Sequence, residues 1–353
     1  YELSYTNVLN MLDLAGLTLR SADRTELTPL VVAGGPCACN PEPLADFVDL
    51  FFLGEGEEVD LEVIDLYKEY KAKGGNDKKE FLKLASKIEG VYVPFLYDVQ
   101  YDEEGKISRY IPKEGAPERV QKRIMTDMDN SFYPKNIPVP FTEIVHDGAV
   151  MEIFRGCIRG CRFCQAGFIY RPVREKSADV INSEAKTLCD NTGYDEMSLS
   201  SLSTSDYTEI ESLLERMIKW TDEDKISLSL PSLRIDNFSP ELLEKMKMIR
   251  KSGLTFAPEA GTQRLRDAIN KNLYEEDLLK ACDTAFKAGK TQVKLYFMMG
   301  LPTETDEDII GIAKLGQKIV DLYYNVDGRP KGKGVNVSIS VSTFVPKPFT
   351  PFQ

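Results

Sequence analysis

Gly156-Cys157-Ile158-Arg159-Gly160-Cys161-Arg162-Phe163-Cys164 crowds three thiols into eight residues. The run directly follows Ala149–Arg155, an apolar stretch that reads as a strand, so it falls on the loop at that strand's carboxyl end. Thiolates spaced C-x₃-C-x₂-C suit three irons of a cubane cluster, and no fourth Cys lies nearby. One iron is then left open to a ligand, as a catalytic zinc keeps an open position. The competing reading is a structural zinc site or incidental thiols, but a zinc site of this type needs a second Cys pair. His146 is the only imidazole in the chain.

Working outward, strand and helix patterns alternate from His146 onward. Strands are expected at Ala149–Arg155, Glu196–Leu202, Ile226–Leu230, Leu254–Ala257, Thr291–Met299 and Val335–Phe344. Ser239-Pro240-Glu241 reads as a helix start and Gly253 as that helix's stop. Six strand–helix units fit an incomplete parallel barrel, whose chemistry sits at the carboxyl ends of its strands.

The cluster motif, read with its aromatic Phe163 and the barrel that follows, resembles the radical S-adenosylmethionine (SAM) superfamily over about Ala149 to Gln353. The resemblance implies an incomplete parallel (β/α)6 barrel. It also implies a [4Fe-4S] cluster held by Cys157, Cys161 and Cys164, whose open iron chelates SAM. One electron, from a donor such as flavodoxin or ferredoxin, then cleaves SAM to a 5′-deoxyadenosyl radical. By the same resemblance Phe163 packs near the adenine.

Later strand ends extend the match. The second strand closes with Ser200-Ser201-Leu202-Ser203-Thr204-Ser205-Asp206 in place of the superfamily's Gly-Gly-Glu run. Ser203 or Asp206 then serves the SAM amino group, or the segment simply caps a helix. Arg234, after the third strand, reads either as a carboxylate fork at the barrel mouth or as a surface ion pair. Glu259, in Glu259-Ala260-Gly261-Thr262, resembles the acid that meets the SAM ribose; its alternative is a loop acid near a helix N-terminus. Gly300 and Pro302, in Gly300-Leu301-Pro302-Thr303-Glu304-Thr305, resemble the turn that approaches adenine. Arg171, Arg174 and Lys176 read as an anionic-substrate patch or as a solvated loop.

At the amino end, Thr28–Ala33 and Val48–Leu53 read as short parallel strands running into Gly34-Gly35-Pro36 and Gly54-Glu55-Gly56-Glu57. Helices are expected over about residues 5–15 and after Glu57. Residues 1–67 resemble the last part of a Rossmann-like cobalamin-binding-type domain, with Gly34 and Gly35 admitting a corrin, or else a relic of that fold that binds nothing. Cys37 and Cys39 are corrin-proximal or small buried residues. Residues 68–145 read as a connector with a hairpin near Asp102–Gly105, and residues 146–353 as the catalytic core.

Composition narrows the classes. Of 353 residues, 44 are basic and 56 acidic, a net charge of −12 that argues against an unaided nucleic-acid binder. No apolar run is long enough to span a membrane. The seven Cys do not form a disulfide scaffold, so a reducing, cytoplasmic setting is expected. The chain starts at Tyr1 and stops in a Pro-rich run, so both ends are expected to continue. Besides a radical SAM enzyme, with or without methyl transfer through cobalamin, two alternatives stand. One is an RNA-modifying enzyme similar to methylthiotransferases, which needs three further clustered Cys where only Cys37 and Cys39 occur. The other is a non-catalytic iron–sulfur scaffold or redox sensor. The substrate, RNA or small molecule, is not readable.

Overall fold

The computed structural model describes all residues except 114, 143, 231–253, 328, 330 and 331. The chain divides into two compact units, Tyr1–Asp127 and Met128–Gln353. Arg234 and the helix expected between Ser239 and Gly253 lie outside the described residues.

In the first unit the two expected strands are β1 (Val32–Ala33) and β2 (Leu50–Phe52), paired parallel. A third, β3 (Val91–Tyr92), pairs antiparallel to β2. The expected hairpin forms from β4 (Tyr97–Tyr101) and β5 (Ile107–Pro112). Asp102 accepts the Glu104 and Lys106 amides in its turn. Helices cover Tyr5–Leu14, Gly56–Ala72 and Lys78–Ala85. The last is capped by Asp77, which accepts the Glu80 amide. Phe81 and Leu82 from this helix pack with Leu50, Phe51, Val59 and Val91 in one core. Residues 68–127 thus share a core with the amino-terminal strands.

Asp49 carries this unit's least regular segments. Its side chain is fully buried and accepts from Lys78 Nζ at 2.6 Å, Arg24 at 3.0 Å and the Val31 amide at 2.7 Å, with Ser21 also donating. Arg24 in turn donates to the carbonyls of Thr18, Leu19 and Phe47.

The second unit contains all six expected strands. They are β6 (Ala149–Glu152), β9 (Glu196–Ser200), β10 (Ser227–Ser229), β11 (Leu254–Glu259), β12 (Gln292–Met299) and β13 (Asn336–Thr343). They form two parallel arcs in the orders β10-β9-β6 and β11-β12-β13, as an incomplete parallel barrel requires. Apolar residues alternate toward the helices. Met197 and Leu199 pack with Ile181, Leu188, Leu213 and Met217, while Val293, Leu295 and Phe297 pack with Leu278, Phe286, Leu315 and Ile319.

The first strand ends sooner than expected. After Ile153 the chain turns into β7 (Phe154–Arg155), which pairs antiparallel with β8 (Arg174–Glu175). This short ladder closes the base of the Cys-bearing excursion.

Replacing Asp49 with Ala leaves Arg24 and Lys78 as buried, uncompensated cations. The expected loss is about 3–5 kcal/mol, read as a lower midpoint for the first unit's transition in urea. An unchanged midpoint would show that the knot is not what holds these segments.

Candidate functional site

The cysteine loop leaves β7 at Gly156, whose φ is +89°. A Cβ there would lie 2.8 Å from the Pro172 carbonyl oxygen, so the loop can close on itself only with glycine. Cys157 and Cys164 are half-buried, Cys161 is buried, and none is in a disulfide. Among the described residues no three His, Cys, Asp or Glu gather around a single metal ion. A cubane does not ask for that, because each thiolate binds a different iron. Three thiols on a glycine-rich loop at the strand ends therefore fit such a cluster by their donor chemistry.

Three contacts fix the loop. Asn270, itself at φ +55°, donates to the Gly160 carbonyl at 2.9 Å. The Arg162 amide donates to the Ile269 carbonyl at 2.9 Å. Arg159 forks onto Asp206, with Nε 2.8 Å from Oδ2. Asp206 is thus engaged by the cysteine loop itself. Ser203, beside it, is buried, and among the described residues its Oγ has no hydrogen-bond partner.

Phe163, half-buried on the loop, packs against a cluster built from Ala260, Leu265, Ile269 and Leu301, with Met298 and Phe344 on the same cluster. The cysteine loop, the segment after β11, the turn after β12 and the end of β13 therefore meet at the carboxyl ends of the strands.

Glu259 ends β11 beyond a register irregularity, at φ +67°. It is mostly buried and pairs with Lys271 at 3.3 Å. Burial raises its pKa above the usual carboxylate value, and the Lys271 ammonium pulls it back down. Gly300 has φ +84° and open space where a Cβ would be. Its amide is already taken by Glu304, at 2.7 Å, so Glu304 shapes the turn. Pro302 follows buried Leu301 on that turn. In the first unit, Gly34 and Gly35 follow β1 directly, and a Cβ on Gly35 would meet nothing.

The basic run is not a free patch. Lys176 is buried, 2.6 Å from Glu184, and Arg174 is buried with its guanidinium on the Pro172 and Tyr170 carbonyls. Arg171 lies over the Phe168 ring at 4.7 Å. Both sequence readings of Arg174 and Lys176 miss that β8 turns them inward.

Sequence reasoning also passed over Asp308. This buried carboxylate accepts from the Thr305 amide and hydroxyl, each at 2.8 Å, and from Thr262 and Arg264. Burial would raise its pKa, but these hydrogen bonds outweigh that and hold it well below the carboxylate range. The Thr305-x-x-Asp308 capping pattern was the available signal.

Residues 1–94 match the family described as "Radical SAM proteins, N-terminal", and residues 151–316 match "Radical SAM superfamily". An uncharacterized protein of Methanocaldococcus jannaschii is 33% identical over the whole chain, which spans 66% of that protein. The ribosomal protein uS12 methylthiotransferase of Treponema denticola is 24% identical over 65% of the chain and 52% of its own length. Among solved structures, the radical SAM methyltransferase TsrM from Kitasatospora setae, with cobalamin and a [4Fe-4S] cluster bound, matches 92% of this chain and 57% of its own. Its TM-score is 0.57 at 13% identity, a likeness of fold. The chain thus spans about two thirds or less of the proteins it matches. Among the described residues no helix is long and apolar enough to cross a membrane.

Because Asp308's folded pKa is depressed, its stabilisation is complete above the ordinary carboxylate value of 3.8 and is lost as pH falls below it. The stability gap between wild type and Asp308→Asn should be flat from about pH 5 to 8 and shrink below about pH 4. A gap that widens in acid would contradict an ionised Asp308.

Proposed function

We propose, from the premise that this chain belongs to the radical SAM superfamily, that it cleaves SAM reductively at a [4Fe-4S] cluster and passes the radical to a substrate. The observation that carries this reading is the meeting of the Phe163 loop with Ala260, Leu301 and Phe344 at the strand ends. A non-catalytic iron–sulfur scaffold has no need of those later strand ends.

Cys157, Cys161 and Cys164 would each hold one iron, and a cluster so held would supply the electron that breaks the sulfonium bond. Glu259, paired with Lys271 at the end of β11, accepts the two ribose hydroxyls. The open face of Gly300 and the Pro302 turn take the adenine edge, beside Phe163. Ser203 Oγ, buried and without a partner among the described residues, gains a hydrogen bond when a ligand's polar group arrives. Arg159 on Asp206 keeps the cysteine loop at one height above the barrel. A ferredoxin- or flavodoxin-type donor delivers the electron.

Methyl transfer through cobalamin is the second reading. It is favoured by a fold likeness to TsrM that covers 92% of this chain, and by the open Gly34-Gly35 loop. His146 lies outside the first unit, so residues 1–127 offer cobalt no imidazole.

Replacing Cys157, Cys161 or Cys164 with Ala should drop SAM cleavage to background while circular dichroism stays unchanged. Retained cleavage in any one of them removes that residue from the ligand set. Iron and cobalt in the natural-length protein, purified without oxygen from cobalamin-fed cells, separate the two readings. About four irons with one cobalt per chain favours methyl transfer, and four irons alone leaves radical generation without it.

A further inference from the structure

Lys294 is the third of the eight residues of β12. Its strand neighbours Val293 and Leu295 are buried against the helices outside the barrel. Alternation along the strand turns Lys294 and Tyr296 to the opposite face, toward the lumen. Both are exposed there, with Lys294 Nζ 4.8 Å from the centre of the Tyr296 ring. The strand register sets Thr255 on one side of Lys294 and Ser338 on the other, and Ser340 beside Tyr296.

Closed eight-stranded parallel barrels fill the lumen with layers of branched apolar side chains. Here the same positions carry a cation, a phenol and small hydroxyls. Among the described residues no carboxylate pairs with Lys294, whereas Glu152 and Glu259 are engaged by Arg155 and Lys271. The lumen therefore combines room, hydroxyl groups and a positive charge over an aromatic face.

We propose that Lys294 and Tyr296 anchor the substrate inside the barrel, and that the substrate is a small molecule bearing a carboxylate next to a flat ring. The ammonium takes the carboxylate in a charge-assisted hydrogen bond, and the Tyr296 ring takes the flat portion. A small monoanion suits the chain better than a polyanion, because the net charge of −12 repels an RNA backbone over the rest of the surface. This inference rests on the reading that the barrel holds the substrate of a radical enzyme.

Benzoate and benzamide serve as probes, because they share a ring and differ in charge. Met298 follows Tyr296 on the same face of β12, so its labelled ε-methyl, identified in the NMR spectrum with Met298→Leu, reports on the lumen. Benzoate should shift this signal saturably and bind at least tenfold more tightly than benzamide. Lys294→Met should remove that preference, and Lys294→Arg should keep most of it. Equal binding of the two probes to the wild-type chain overturns the proposal without any variant having to fold. So does a preference for benzoate that survives Lys294→Met. The titration uses neither SAM nor turnover. Failure of the wild-type chain to cleave SAM, with benzoate still bound, would sink the radical reading and leave the anion anchor standing.

Discussion

A buried carboxylate is tolerated only when its lone pairs are answered, and the carboxyl-end loops of this barrel are arranged around one such group. Asp308 draws its donors from both sides, from Thr262 and Arg264 after β11 and from Thr305 after β12. The segment carrying Glu259 is thereby tied to the turn carrying Gly300 and Pro302. The approach is close. A Cβ on Gly261 would lie 2.3 Å from the Asp308 carbonyl oxygen, so the Asp306–Asn325 helix reaches this loop only over bare backbone. Two loops that share one anion cannot move apart without exposing it. That constraint holds a candidate cofactor surface at fixed spacing even though its parts come from different strand–helix units.

What was legible in the sequence follows from how locally each feature is determined. The six strands could be read because their outward residues alternate or run apolar, as in Val293, Leu295 and Phe297. The cysteine loop could be read because thiol spacing is itself chemistry. The β7–β8 pair could not. Arg174-Glu175 carries no apolar signal, and its pairing partner, Phe154-Arg155, lies across the whole excursion. The basic run consequently looked like a surface patch when two of its three members are buried structural cations. Asn270 and Lys271 were invisible for the same reason, since their partners Gly160 and Glu259 are distant in sequence.

The first unit uses the same device at its least regular point. Its sheet is short, and the segments around Thr18–Ser21, Val31 and Phe47 have little regular structure to fix them. Asp49, shared by Arg24 and Lys78, gathers them. Two cations on one carboxylate would be an unstable burial if those cations did not also donate to carbonyls. Arg24 reaches three of them, and Lys78 reaches those of Ser21 and Arg24. Composition had set residues 68–145 apart as a connector. Lys78, Phe81 and Leu82, all in the first unit's interior, show that a Lys- and Glu-rich stretch can still supply a core when its few apolar residues share one helix face.

Fold and reaction draw on opposite faces of the same strands. On β9 and β12 the outward positions are apolar because helices cover them, and this alternation specifies the barrel whatever occupies the other face. Inward positions are released from packing and can follow the reaction. Here they read Ser198 and Ser200 on β9, Ser227 and Ser229 on β10, and Ser338, Ser340 and Ser342 on β13. A serine in place of a valine or leucine gives up apolar packing and leaves both volume and a hydroxyl. A barrel that forgoes that packing on three strands is built to surround something other than its own side chains. Lys294, set among such positions, is where the character of that something is written most directly in charge.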